Sequence, residues 1–169
     1  MPKLLTPDLY VESVYDIDLA ALKKRGIDNI ITDLDNTLVP WIEKDVNPKL
    51  MQWVGSLKSG GFKVCLVSNA TESRVESFRQ YMGVPGISKA GKPRNGAFLQ
   101  ALEILGGASY NTAVIGDQIF TDVLGGNRLG LYTILVVPLS EKEFIGTRLV
   151  RLAERFVLRK ISKPHSVNK

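Results

Sequence analysis

The sequence predicts an α/β protein built on a single doubly wound, Rossmann-like parallel sheet. Short β-branched, apolar runs alternate along the chain with segments in which apolar residues recur at helical spacing. The apolar residues of each run are consecutive rather than alternating, which is typical of strands that are buried on both faces of a parallel sheet. Polar residues follow three of these runs directly, and right-handed strand–helix–strand connections would bring those strand ends to one edge of the sheet.

In chain order, the first predicted elements are a helix, a strand and a second helix. Residues 18–25 predict a short helix that ends at Gly26. Residues 28–33 are β-branched and stop at polar side chains, so they predict the first strand. Asn47-Pro48 predicts a helix start, because proline suits the first helical position, and Gly60-Gly61 predicts its end.

The rest of the chain repeats this alternation. Residues 63–68 predict a strand, and residues 71–82 predict a helix that is stopped by a glycine. Apolar residues at helical spacing over 98–105 predict the next helix. Residues 112–116 and 131–137 predict two further strands, the last of which ends at a proline.

Length and composition predict one soluble domain. Of 169 residues, 44% are hydrophobic and 23% are charged, as is ordinary for a globular protein. We expect residues 1–140 to form the core with an N-terminal lead-in, and residues 141–169 to add a helix and tail to the same domain. One cysteine and one histidine exclude an intramolecular disulfide and a zinc site of the usual kind, so any metal would be a hard cation bound by oxygen. With no long apolar run for a secretion signal or a membrane span, the expected location is cytoplasmic, with peripheral contact at the inner face of the membrane as an option.

The positive charge is concentrated in the last segment. The formal net charge is +5, and residues 141–169 hold eight basic and three acidic residues, which leaves fourteen of each for the rest of the chain. On a helix over residues 140–160 one stripe is basic and the adjacent stripe is apolar. The stripe consists of Arg148, Arg151, Arg155 and Arg159. Three interpretations stay open: solvated arginines on a docked helix, contact with an anionic membrane, and an RNA partner.

Four aspartates stand at or near the ends of two predicted strands. Asp33 and Asp35 follow the first strand, and Asp117 and Asp122 follow the third. Buried carboxylates need a partner, and several acids with a lysine nearby are the composition of a magnesium site. Asp33 and Asp35 could instead be turn formers or helix caps.

Four short motifs in this order resemble those of the haloacid dehalogenase (HAD) superfamily. Asp33-Leu34-Asp35-Asn36-Thr37-Leu38 resembles the first motif, Val67-Ser68-Asn69 the second and Lys92-Pro93 the third. The segment Gly116–Asp122 resembles the fourth. The resemblance implies an HAD-like core and phosphatase chemistry.

The resemblance also implies a role for each aspartate. Asp33 would attack phosphorus and become an aspartyl-phosphate. Asp35 would protonate the leaving alkoxide and then deprotonate the hydrolytic water, which favours a true hydrolase. Mg²⁺ would bind the Asp33 carboxylate, the Asp35 backbone carbonyl and the Asp117 carboxylate, with Asp122 as a direct or water-linked ligand.

Two further residues have roles that the resemblance implies at the phosphate. Ser68 would hydrogen-bond a phosphoryl oxygen, and Lys92 would balance charge on the phosphoryl group and Asp33. Thr37 and Asn69 are further candidates for phosphate binding, but Thr37 could instead be a cap and Asn69 a solvated loop residue. Ser68 could likewise simply cap the following helix, and Lys89 competes with Lys92 for the role of the lysine.

The spacing of the motifs leaves no room for a cap domain. Residues 39–46 can form only a short flap, and residues 70–91 hold one helix and a loop. Trp41 in the flap is a candidate substrate platform, or it packs against the edge of the domain. The capless pattern resembles a HAD subclass III (IIIA) phosphatase, in particular the bacterial YqeG family, which is similar to phosphatidylglycerophosphate phosphatases of the mitochondrial kind. That resemblance implies a membrane-displayed phosphomonoester as substrate. The alternatives are a soluble nucleotide or sugar phosphate and an RNA- or ribosome-associated binding module whose phosphatase site is idle.

Overall fold

A computed structural model describes residues 3–140, 154, 157 and 158. Six strands and five α-helices alternate along this part of the chain. They are β1 (Leu9–Val11), α1 (Leu19–Lys24), β2 (Asn29–Thr32), α2 (Pro48–Ser59), β3 (Lys63–Val67), α3 (Glu72–Met82), β4 (Gly86–Ile87), α4 (Gly96–Leu105), β5 (Thr112–Gly116), α5 (Leu124–Arg128) and β6 (Tyr132–Val136). A π-helical turn, Ile119–Val123, leads into α5.

The strands form one parallel sheet in the order β1-β6-β5-β2-β3-β4. The predicted α/β fold with a doubly wound parallel sheet is therefore confirmed. The chain leaves β2 toward β3 and β4, then crosses back to β5 and β6 on its other side. In such sheets ligands bind outside the carboxyl ends of the strands where the winding reverses, and here that place lies beside β2.

Both faces of the sheet are covered by helices. On one face Ile30 packs in a cluster with Leu50 of α2 and Phe78 of α3. On the other face Ile31 packs with Cys65 and with Phe98 of α4. Neighbouring residues of one strand thus enter two different cores, which is why consecutive positions such as Ile30 and Ile31 are both apolar.

Local capping residues mark most helix ends. The sequence did not predict the two edge strands, β1 and β4. The side chain of Asp18 accepts from Ala21 N at 2.9 Å at the start of α1, and that of Asn47 accepts from Leu50 N at 2.8 Å at the start of α2. Gly83 ends α3 in the left-handed conformation, with φ of 61°. Strands β1 and β4 have three and two residues, too few for a periodic pattern.

No cap domain interrupts the fold between residues 33 and 95, all of which the structure describes. The first interval holds the flap, which we define as residues 39–46, followed by α2. The second interval holds only α3, β4 and a loop. The capless architecture expected from the sequence is confirmed for this part of the chain.

The basic stripe predicted for the last segment, Arg148, Arg151, Arg155 and Arg159, lies outside the described residues, so its interpretations stay predictions. The three described residues beyond position 140 contact the core. The buried carboxylate of Glu154 accepts a hydrogen bond from Phe120 N at 3.2 Å. Val157 and Leu158 pack against the cluster that contains Ile119. Among the residues described, no helix is long and apolar enough to cross a membrane.

Candidate active site

A cleft of about 640 Å³ opens at the carboxyl edge of the sheet beside β2. Residues from the ends of β2 and β3, the first turn of α3, the 92 loop, the flap and the π-helical turn line it. They are Asp33, Asp35, Asn36, Trp41, Ser68, Asn69, Ala70, Thr71, Arg74, Lys92, Gln118 and Thr121. Their side chains are mostly polar, so the cleft suits a small charged group better than an apolar ligand.

Asp33 and Lys92 form a buried ion pair at the bottom of this cleft. The N–H of Asp33 donates to Ile115 O at 2.9 Å, which continues the sheet ladder and fixes the residue directly after β2. Lys92 Nζ lies 2.9 Å from Asp33 Oδ1 and 2.7 Å from Asp122 Oδ1. Burial opposes the charge of Lys92, but the carboxylates of Asp122 and Asp33 outweigh it and raise the pKa of the lysine. The ammonium is therefore a fixed positive charge under the cleft.

Asp33, Asp117 and Asp122 form a buried carboxylate triad. One oxygen atom from each lies within 4.8 Å of the other two. Thr37 Oγ1 donates to Asp117 Oδ1 at 3.1 Å and so orients that carboxylate. The three carboxylates of the triad outnumber the single ammonium of Lys92, so the triad can take up further positive charge. Every atom of the triad that could ligate a metal is an oxygen. That donor set fits a hard divalent cation such as Mg²⁺.

The π-helical turn and a glycine bring Asp122 back over the end of β5. Asp122 Oδ2 accepts from Gln118 N at 3.2 Å and from Thr121 Oγ1 at 3.3 Å. A Cβ atom on Gly116 would lie 2.2 Å from Asp122 Cγ, far inside van der Waals contact. Only glycine fits at position 116 when Asp122 is folded into the triad.

The loop that carries Lys92 is held by Asn69. Asn69 Oδ1 accepts from Lys92 N at 2.9 Å, and its amide donates to Lys92 O at 3.4 Å. The Lys92-Pro93 peptide bond is cis. Ser68 Oγ lines the cleft and accepts from Ala70 N at 3.2 Å, within the turn that precedes α3.

Asp35 faces the same cleft and is bonded by an arginine of α3. Arg74 Nε donates to Asp35 Oδ1 at 2.6 Å, and the two side chains are 18% and 19% exposed. Burial raises the pKa of Asp35 above its usual value, and the hydrogen bond from Arg74 opposes that shift. The backbone N–H of Trp41, in the flap, donates to Asn36 Oδ1 at 3.1 Å.

The structure brings together the residues that the sequence singled out, although not all of them line the cleft. The cleft-lining ones are Asp33, Asp35, Ser68, Asn69 and Lys92. Asp117, Asp122 and Thr37 lie buried behind Asp33, with Thr37 against Asp117 rather than in the cleft. Lys89, the competitor of Lys92, is exposed.

Sequence reasoning missed Arg74, Gln118 and Thr121 as part of the site. Gln118 and Thr121 belong to the fourth motif, so their position next to Asp122 was a usable signal. Arg74 stands in a helix with no motif of its own, and an arginine there is usually solvated.

Comparison with known proteins identifies the family. Residues 89–138 match the family described as HAD-hydrolase-like. The chain is 44% identical over 158 residues to the probable phosphatase YqeG of Bacillus subtilis (strain 168), with coverage of 94% of this chain and 92% of that protein. It is 28% identical over 163 residues to the chloroplastic phosphatidylglycerophosphate phosphatase 1 of Chlamydomonas reinhardtii, covering 90% of this chain and 61% of that protein.

Solved structures share the fold. The cobalt-bound deoxy-D-mannose-octulosonate 8-phosphate phosphatase of Haemophilus influenzae superposes with a TM-score of 0.51 at 18% identity, over 57% of this chain and 61% of that one. The class that the fold and the site define is the HAD-type phosphatase. The chain belongs to the HAD-like hydrolases, within the family of YqeG.

Proposed function

We propose that this protein is a Mg²⁺-dependent phosphomonoesterase that works through a phosphorylated Asp33. The single observation that carries the proposal is the buried Asp33–Lys92 pair, which forms the floor of an open polar cleft beside a carboxylate triad. A carboxylate attacks a phosphate dianion only when nearby positive charge offsets the repulsion between them. Lys92 supplies part of that charge at 2.9 Å from the proposed nucleophile.

In the proposed reaction Asp33 displaces an alkoxide from phosphorus, and Asp35 supplies the proton that the alkoxide takes up. Asp35 then removes a proton from the water that cleaves the aspartyl-phosphate. Ser68 and Lys92 bind phosphoryl oxygens, and Asn69 holds the backbone of Lys92 in place. The carboxylates of Asp33, Asp117 and Asp122, with the backbone carbonyl of Asp35, would hold Mg²⁺, which screens phosphate charge and aligns the reacting groups. The cobalt-bound phosphatase of similar fold supports a divalent metal in this setting.

The test compares Asp33→Asn with wild type in a phosphate-release assay that contains MgCl₂. Removal of a nucleophile should lower kcat on the order of 10³-fold or more. Glu103→Gln is the matched control, because it also removes one carboxylate but from the exposed face of α4. With 4-nitrophenyl phosphate, whose leaving group needs no proton, Asp35→Asn should accumulate phosphorylated protein, visible by mass spectrometry after acid quench. Full activity of Asp33→Asn would overturn the assignment.

For the substrate we propose phosphatidylglycerophosphate or a similar phosphate displayed on a membrane. The similarity to the algal phosphatidylglycerophosphate phosphatase supports this, although the chain spans only 61% of that protein. No cap domain is inserted between residues 33 and 95, so that part of the chain leaves the cleft open to solvent. Trp41, which lines the cleft, and the next residue, Ile42, are 40% and 55% exposed, and exposed apolar side chains of this kind can enter a lipid surface.

The substrate proposal is tested with vesicles that contain phosphatidylglycerophosphate and with soluble glycerol 3-phosphate. A Trp41→Ala/Ile42→Ser variant should lose activity on vesicles and keep its activity on the soluble ester. Ile104→Ser is the control, because Ile104 is 47% exposed on α4, away from the rim. Equal loss on both substrates, or turnover of soluble phosphates alone, would favour the soluble-substrate alternative.

A further inference from the structure

Arg74 makes more polar contacts across the cleft than any role assigned so far explains. Its three guanidinium nitrogens each have a separate acceptor: Nε donates to Asp35 Oδ1 at 2.6 Å, Nη1 to Glu43 O at 2.6 Å, and Nη2 to Pro40 O at 3.3 Å. The guanidinium also lies over the ring of Phe78, 5.1 Å from its centroid. One side chain thus joins helix α3, the residue two positions after the nucleophile, and the flap.

These contacts hold the guanidinium in one place. Phe78 is fully buried, so the aromatic ring over which the guanidinium of Arg74 lies is part of the hydrophobic core. Arginine presents its donors in a planar fork, and fixing that fork at several acceptors costs less conformational entropy per bond than lysine would. At 18% exposure the ion pair with Asp35 is better shielded from solvent than a surface pair.

We propose that Arg74 is a positioning residue that aims Asp35 at the leaving group and ties the flap to α3. This inference rests on the proposed function, because it assigns Asp35 the transfer of a proton. Arg74 bonds Oδ1 of Asp35, so Oδ2 is the oxygen left to exchange a proton with the substrate. As the new bond between Asp33 and phosphorus forms, the ester P–O bond breaks and the proton passes from Asp35 to the departing oxygen.

The dependence of the rate on the leaving group separates positioning of the acid from a general structural role. An alkoxide must be protonated as it leaves, whereas 4-nitrophenolate leaves without a proton. A group misplaced by about 1 Å can cost on the order of 10²-fold in rate. We therefore expect Arg74→Gln to lower kcat/KM about 10²-fold for glycerol 3-phosphate, and by less than about threefold for 4-nitrophenyl phosphate, where no acid is required.

The matched control is Arg79→Gln, the same substitution on the same helix. Arg79 pairs with Glu76 on the exposed side of α3, so both esters should be hydrolysed at the wild-type rate. Arg74→Lys should recover part of the glycerol 3-phosphate activity, because lysine can still reach a carboxylate but lacks the fork for the two carbonyls.

A second measurement does not depend on activity. Hydrogen exchange of the peptide that covers residues 39–46 should be faster in Arg74→Gln than in wild type, and unchanged in Arg79→Gln. An equal loss on the two esters, a rise in activity, or unchanged exchange in the flap would each overturn the inference while Asp33 kept its role. Full activity of Asp33→Asn would instead overturn the proposed function.

Discussion

Replacing Lys92 by methionine tests how much the positive charge of this lysine contributes to the stability of the fold. The ammonium lies 2.9 Å from Asp33 and 2.7 Å from Asp122, and its side chain is 2% exposed. Loss of one partner from a buried pair leaves unbalanced buried charge and costs about 3–5 kcal/mol. We expect Lys92→Met to lower the free energy of unfolding by an amount in that range. Part of the loss would be avoided where an aspartate takes up a proton.

The matched control is Lys23→Met. Lys23 lies 2.7 Å from Asp28, the same distance that separates Lys92 from Asp122, but the side chains of Lys23 and Asp28 are 32% and 58% exposed. Pairs of this kind contribute about 0–1 kcal/mol, because water already solvates both charges. Both variants are to be unfolded in urea with EDTA present, so that no divalent ion replaces the missing ammonium. Equal and small losses for the two variants would refute the conclusion that the buried carboxylates of Asp33 and Asp122 depend on Lys92 for charge balance.

Three further predictions concern the core, the end of β5 and the metal. Burial raises the pKa of Cys65 to about 12 from 9.0, so its contribution to stability is complete below pH 9 and is lost as pH rises toward 12; urea unfolding across that interval should show a decline that Cys65→Ala lessens. Gly116→Ala should lower the unfolding free energy by roughly 1–3 kcal/mol or more through its clash with Asp122, whereas Gly96→Ala, which meets open space, should change it by less than about 1 kcal/mol in thermal unfolding. Mg²⁺ at about a hundredfold its dissociation constant should stabilise the wild type by about 2.7 kcal/mol, and Asp117→Asn should lose most of that gain in the same assay; an undiminished gain would contradict the assignment of Asp117 as a ligand.

The sheet was predictable because its signals are local. Short runs rich in β-branched and other apolar residues identify β2, β3, β5 and β6, and caps such as Asn47 and Gly83 mark helix ends. β1 and β4 were not predicted, because two or three residues are too few to show a periodic pattern of apolar side chains. Their pairing also depends on neighbours that are distant in the chain. The π-helical turn escaped because its residues read equally well as a loop or as the start of α5.

The gathering of the acids was predictable in the same way, from strand ends that meet at one edge of a parallel sheet. The placement of Lys92 depended on the motif pattern, since nothing local distinguishes it from Lys89. The contact between Arg74 and Asp35 was not predictable, because it depends on where α3 lies relative to the end of β2. Thr37 shows a related limit: a hydroxyl near a phosphate-binding motif could face the cleft or, as it does here, orient Asp117.

Arg74 holds the flap by the carbonyl oxygens of Pro40 and Glu43, not by their side chains. Every residue type carries a carbonyl, so this attachment makes no demand on which amino acids occupy the flap. Trp41 and Ile42 can therefore be exchanged as sequences diverge while the attachment to α3 persists. If the flap contacts the substrate as proposed, substitutions at positions 41 and 42 would change the substrate preference and leave the ion pair of Asp33 and Lys92 in place.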